Sequence, residues 1–146
     1  MANISFAITA CNEHVELDRL LKQLTNNIKS KDEIVVQLDI TATQEVKDVV
    51  SKYKLINYIY PLNGDFASFK NNLKNICAKE WIFFIDADEY LSDNLLGYVH
   101  EILEANKGIV DVISVPRINT VEGLTREHID KWRWFVDDNG YVNYPD

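Results

Sequence analysis

Apolar residues fall along this chain in two alternating rhythms. Five short runs rich in β-branched and aromatic residues are ISFAITA (4–10), EIVVQLDI (33–40), LINYIY (55–60), WIFFI (81–85) and DVISVP (111–116). They are too continuous for strands with one wet face and read as strands of a sheet covered on both sides. Between them the period lengthens. Leu17, Leu20, Leu21, Leu24 and Ile28 follow helical spacing behind Asn12 as a cap, and Val46, Val49, Val50 and Tyr53 repeat it behind Thr43. Phe69, Leu73, Ile76 and Cys77 make a third apolar helix face. Leu95, Leu96, Val99, Ile102 and Leu103 make a fourth, capped by Ser92 and stopped by Gly108. This alternation predicts an α/β fold of right-handed βαβ crossovers, with a mostly parallel open sheet and helices on both faces. The final 30 residues break the rhythm and read as a loop, a short helix and a short strand.

Composition narrows the class without changing that picture. The chain has 146 residues, 47% hydrophobic and 26% charged, which suits one globular domain with a real core. No window approaches the roughly 18 consecutive apolar residues of a membrane span, and residues 1–10 lack the pattern of a signal peptide, so a cytoplasmic location is expected. Cys11 and Cys77 form no Cys-x-x-Cys and are expected as reduced thiols. A net charge of −8 argues against nucleic acid as a partner, because phosphate backbones are bound by clustered Lys and Arg. If phosphate is handled here, a metal ion is expected to help.

The chemistry gathers where strands end. In an open parallel sheet the ligand crevice lies beyond the carboxyl ends of the strands. Thr9, Cys11, Asn12 and Glu13 close the first strand, Asp39 the second, Asp86 and Asp88 the fourth and Arg117 the fifth. Asp86 and Asp88 flank the small Ala87, so both carboxylates can turn to one ligand, and hard oxygen donors of this kind suit Mg²⁺ or Mn²⁺. An isolated Asp-x-Asp is also common turn chemistry. The buried strand before it and Asp39 on the same edge favour a site.

These landmarks resemble the nucleotide-sugar-binding half of family 2 glycosyltransferases of the GT-A fold, over roughly residues 3–120. ISFAITACNE is similar to that family's opening strand followed by Asn-Glu. EIVVQLDITATQE is similar to its second strand, whose terminal Asp precedes a Ser/Thr-rich turn. GDFASFKNNLKNICAKEWIFFIDADEYL is similar to its helix, strand and Asp-x-Asp signature. The resemblance implies a nucleotide-sugar-binding core over 3–117 and a short acceptor-side tail over 118–146, within a single domain. It implies that Thr9 and Asp39 border the nucleobase, Asp39 accepting from uracil, with Glu13 near the nucleoside. It implies further that Asp86, beside Ala87, contacts ribose or the metal, and that Asp88 holds Mn²⁺ or Mg²⁺ against the donor diphosphate. Lys70 stands where the family often has Arg, and Asn71 matches its Asn. Lys is a point charge rather than a planar fork.

The implied reaction is inverting transfer of a sugar from a UDP-sugar to a saccharide or other hydroxyl acceptor. Its general base would be an acid beyond the Asp-x-Asp. Asp137 and Asp138 are the first candidates and Asp130 the next, although VDDNGY also reads as a turn. His128 is a candidate third metal ligand, and Trp132, Trp134, Phe135, Tyr141 and Tyr144 a candidate aromatic floor for a sugar. A dinucleotide-binding oxidoreductase fits poorly, because TACNEH has no glycine to admit a pyrophosphate and Glu13 would repel it. The standing alternative is a non-catalytic or truncated nucleotide-sugar- and metal-binding module, since GT-A domains commonly need a longer acceptor half.

Overall fold

A computed structural model describes residues 2–118, 135–136 and 142–143. The chain divides into two compact units, Met1–Ile109 and Val110–Asp146. In the first, β1 (Ile4–Ala10), α1 (His14–Asn27), β2 (Glu33–Leu38), α2 (Gln44–Lys52), β3 (Ile56–Ile59), α3 (Phe66–Ile76), β4 (Trp81–Asp86) and α4 (Asp93–Asn106) follow one another. The strands form a four-stranded sheet in the order β3-β2-β1-β4. Each neighbouring pair is parallel. That order reverses direction between β1 and β4, which makes their carboxyl ends the switch point of the sheet.

Strand periodicity sorts the side chains between two unequal faces. Ile4, Phe6, Ile8, Ile34, Val36, Leu38 and Ile85 pack with α1, α2 and α4 in the main core. Phe6 stacks on Phe83 with ring centroids 5.8 Å apart. On the opposite face a smaller cluster joins Ala7 and Val35 to Leu73 of α3. Buried Gln37 on this face donates to the Phe69 carbonyl at 2.7 Å and accepts from Asn72 Nδ2 at 2.7 Å, pinning α3 to the sheet. The strands are therefore less evenly covered than their apolar runs suggest. All of β3 is exposed, and Phe84 keeps 43% of its surface in solvent.

Helix ends follow local chemistry. Thr43 accepts from the Val46 amide at 3.3 Å and Ser92 from the Leu95 amide at 3.1 Å, both as expected of caps. Asp65 caps α3 in the same way. At α1 the cap position falls on Glu13 rather than Asn12. Gly108 follows α4 with φ 76°, the left-handed geometry that ends a helix. His100 lies within the buried face of α4, its Nε2 2.7 Å from Asp32 Oδ2. Asp32 also accepts from the Ile4 and Lys29 amides, so the pair ties α4 to the amino-terminal edge of the sheet.

In the second unit, β5 (Phe135–Val136) and β6 (Val142–Asn143) pair antiparallel. The fifth strand expected at 111–116 is not formed: these residues have no regular secondary structure, with Val112 81% exposed. A β-branched run becomes a strand only where it gains a pleated, half-buried partner surface. Among the described residues no helix is long and apolar enough to cross a membrane.

Candidate active site

Parallel pairing brings Thr9 and Asp86 side by side across the switch point. The Thr9 hydroxyl donates to Asp86 Oδ1 at 3.0 Å. Lys70, from the first half of α3, places Nζ 3.1 Å from the same oxygen and 5.7 Å from the centroid of the Phe84 ring. The two side chains are 39% and 49% exposed, so this ion pair contributes only about 0–1 kcal/mol to stability. Its consequence is local: a cation already compensates the first acid of the Asp-x-Asp.

The segment after β4 turns sharply. The Ala87 amide donates to the Thr9 carbonyl at 3.0 Å and the Glu89 amide to the Asp86 carbonyl at 2.9 Å. Glu89 Oε1 accepts from the Asp86 amide at 2.8 Å. Ala87 is buried in the main core. Asp88 stands exposed at the bend, with no hydrogen bond or ion pair among the described residues. Beyond it, the Leu91 carbonyl accepts from Gln23 Nε2 at 2.6 Å and the Leu91 amide donates to Gln23 Oε1 at 3.3 Å.

The other wall is built on Asp39. Its amide donates to the Ala10 carbonyl at 3.3 Å, and the Thr43 amide donates to the Cys11 carbonyl at 2.9 Å, so the turns after β1 and β2 are knitted together. Asp39 Oδ2 accepts from the Thr41 hydroxyl. Oδ1 accepts from the Leu62 amide at 2.8 Å. The Thr41 hydroxyl foremost, then the Leu62 amide, hold this carboxyl below its ordinary range. Leu62 is aimed by a tight turn in which Asn63 and Gly64 have φ 48° and 72°. Each carboxylate oxygen has a further lone pair, so Asp39 can still accept from a ligand.

Glu13 also serves the chain first. Its Oε2 accepts from the Cys11 amide at 2.9 Å, turning back over the loop instead of forward into α1. Asn71 is exposed on α3, whereas its neighbour Asn72 reaches Gln37. Asp137, Asp138, Asp130, His128, Trp132, Trp134, Tyr141 and Tyr144 lie outside the described residues. Of Phe135 only the backbone is described, in β5.

Sequence reasoning missed the supporting polar groups Gln23, Gln37, Thr41 and the Leu62 amide. A glutamine on a helix or strand carries no local sign that it is buried, and a backbone amide carries none at all. Chemically, the crevice offers an acceptor-only carboxylate at Asp39, a lysine-compensated acid at Asp86 and an exposed hard oxygen donor at Asp88. Among the described residues no group of three His, Cys, Asp or Glu side chains is placed to cage a metal ion. A divalent cation held here would take one or two carboxylates from the chain and complete its shell with water and ligand oxygens, the arrangement Mg²⁺ favours.

The comparisons with known proteins concern both fold and family. A crystal structure of S. aureus TarS 1–349 is similar with a TM-score of 0.60 and 22% sequence identity, covering 80% of this chain and 39% of that one. At that identity the likeness is one of fold, the GT-A arrangement. This chain spans well under half of that structure's length. No curated protein matches the sequence. Residues 5–144, nearly the whole chain, match the family described as Glycosyl transferase family 2. The chain that sets Asp39, Asp86 and Asp88 at the carboxyl edge of its sheet belongs to glycosyl transferase family 2.

Proposed function

We propose that this chain is a glycosyltransferase that moves a sugar from a nucleoside diphosphate sugar, with UDP as the nucleotide, to an acceptor hydroxyl with inversion. The observation that carries this reading is the meeting of Thr9, Lys70 and Asp86 at the switch point, with Asp88 exposed beside them, in a family 2 fold. Asp39 accepts the imide N–H of uracil, and Thr9 and Glu13 border the nucleoside. Asp86, held by Lys70, faces the ribose. Asp88 is the carboxylate that holds Mn²⁺ or Mg²⁺, with Asp86 as its neighbour. The cation, when bound, supplies Lewis-acid neutralisation of the departing diphosphate.

The donor's anomeric C–O bond breaks as the acceptor oxygen bonds to the anomeric carbon, through an oxocarbenium-like state. One carboxylate must take the acceptor proton. Asp137 or Asp138 is proposed for that role, with Asp130 next. Lys70 adds fixed positive charge to the edge at which the diphosphate leaves.

The test is calorimetric and kinetic on the same preparations. UDP with Mn²⁺ should raise the melting temperature by mass action, and EDTA should remove most of the shift. Asp88→Asn should weaken metal-dependent UDP binding and transfer together. Asp137→Asn or Asp138→Asn should cut transfer by about 10²–10⁴-fold with UDP affinity unchanged. Equal UDP binding with and without metal would remove the role given to Asp88. Binding without transfer across a donor and acceptor panel would make the chain a nucleotide-binding module instead.

A further inference from the structure

We propose that Gln23 is a positioning residue for the Asp-x-Asp segment: its carboxamide clamps both backbone groups of Leu91 and thereby sets where the Asp88 carboxylate stands. This rests on the proposed function, in which Asp88 holds the cation against the diphosphate.

Gln23 is 7% exposed on the inner side of α1, between the fully buried Leu20 and Leu24. Packing alone would be served by another leucine, and a buried carboxamide is costly unless its donor and acceptor are both paired. Both are. Nε2 donates to the Leu91 carbonyl at 2.6 Å, and Oε1 accepts from the Leu91 amide at 3.3 Å. A carboxamide offers donor and acceptor at a fixed separation, so pairing both groups of one residue fixes that residue's orientation as well as its position.

The clamp falls where it controls Asp88. The segment between β4 and α4 is held upstream by the Ala87 amide on the Thr9 carbonyl, and downstream by Ser92 capping α4. Between those points the Glu89 amide on the Asp86 carbonyl closes the turn that carries Asp88, and Tyr90 and Leu91 join that turn to α4. One turn before Gln23 on the same side of α1, the Arg19 guanidinium lies 4.8 Å from the centroid of the Tyr90 ring. α1 thus grips consecutive residues of the segment, Tyr90 by a cation–π contact on the outside and Leu91 by the buried amide. Leu91 is 6% exposed, so water is a poor substitute for the amide partner.

Gln23→Leu keeps the volume and removes both bonds. Gln23→Glu keeps the length and the acceptor but sets a carboxylate against the Leu91 carbonyl. The measurements are UDP affinity with Mn²⁺ and with EDTA, and amide hydrogen exchange, on parent and variants that retain the parent's circular dichroism. Gln23→Leu should weaken the Mn²⁺-supported affinity by about 10–100-fold, the size of effect seen when a group behind a metal ligand is lost. Affinity in EDTA should match the parent's, and faster exchange should be confined to residues 88–91. Should Gln23→Leu fail to fold, Gln23→Glu carries the same expectations. Parent-like affinity with Mn²⁺, or exchange that rises through β1 and β2 as well, would make Gln23 a packing residue and overturn the proposal. If the parent binds UDP no better with Mn²⁺ than without, the role of Asp88 fails on its own account. The exchange pattern then decides the clamp: acceleration confined to 88–91 supports it, and any other pattern overturns it.

Discussion

Asp39 has its two carboxylate oxygens engaged by the chain itself, one by the Thr41 hydroxyl and one by the Leu62 amide. These donors favour the ionised form and lower its pKa. A carboxyl depressed in the folded state adds stability above the ordinary carboxylate range, near pH 4, and that contribution is lost as pH falls through the lowered value. Urea midpoints measured from about pH 6 down to about pH 3 should therefore fall further for the parent than for Asp39→Asn. Parallel declines would mean that the donors do not favour the charged form. That Asp39 stands at the carboxyl end of β2 was legible from EIVVQLDI alone, although the strand itself stops at Leu38. That it braces the turn after β3 was not, because Leu62 lies 23 residues away and contributes only a backbone amide.

At the scale of elements, α1 and α2 are joined by a polar staple. The Tyr53 hydroxyl donates to Asp18 Oδ1 at 2.6 Å, and Lys52 Nζ lies 3.1 Å from the same oxygen. Burial, then the hydrogen bond to Asp18 and its charge, push the Tyr53 phenol up to about 12. A phenol with a raised folded pKa contributes stability that is complete below its unfolded value near 10 and is lost as pH rises through the folded value. Thermal melts between about pH 9 and pH 12 should show a steeper loss for the parent than for Tyr53→Phe. At pH 7 the Phe variant should be less stable by about 1 kcal/mol. Tyr53 was readable as the last apolar position of α2; its partner on α1 was not. Caps were more legible, since Thr43 and Ser92 act within three residues of themselves. Asn12 failed as a cap because α1 begins one residue later and Glu13 takes the position.

Across the whole molecule the sheet is lopsided, with α1, α2 and α4 on one face and α3 on the other. Phe6 and Phe84 test that asymmetry, since they sit on the neighbouring strands β1 and β4 but point to opposite faces. Phe6 is fully buried and Phe84 is 43% exposed. Phe6→Ala should cost about 3–5 kcal/mol by denaturant titration, and Phe84→Ala less than half as much. Similar losses would mean that the open face is covered in solution. Periodicity could not reveal this asymmetry, because WIFFI reads the same whether one or three helices lie over it.

The sequence by itself determined the order of the four strands and four helices of the first unit, the caps Thr43 and Ser92, the stop at Gly108 and the single edge on which Thr9, Asp39, Asp86 and Asp88 fall. Those properties are short-range or follow from parallel pairing, which brings all the carboxyl ends to one side. Tertiary structure alone decided the pairing order β3-β2-β1-β4, the fate of DVISVP, and the partners of each charged group. Thr9 and Asp86 are 77 residues apart, and Gln23 and Leu91 are 68 apart. Contacts at such separations depend on which strands lie adjacent and which helix covers them, and local periodicity holds no record of either.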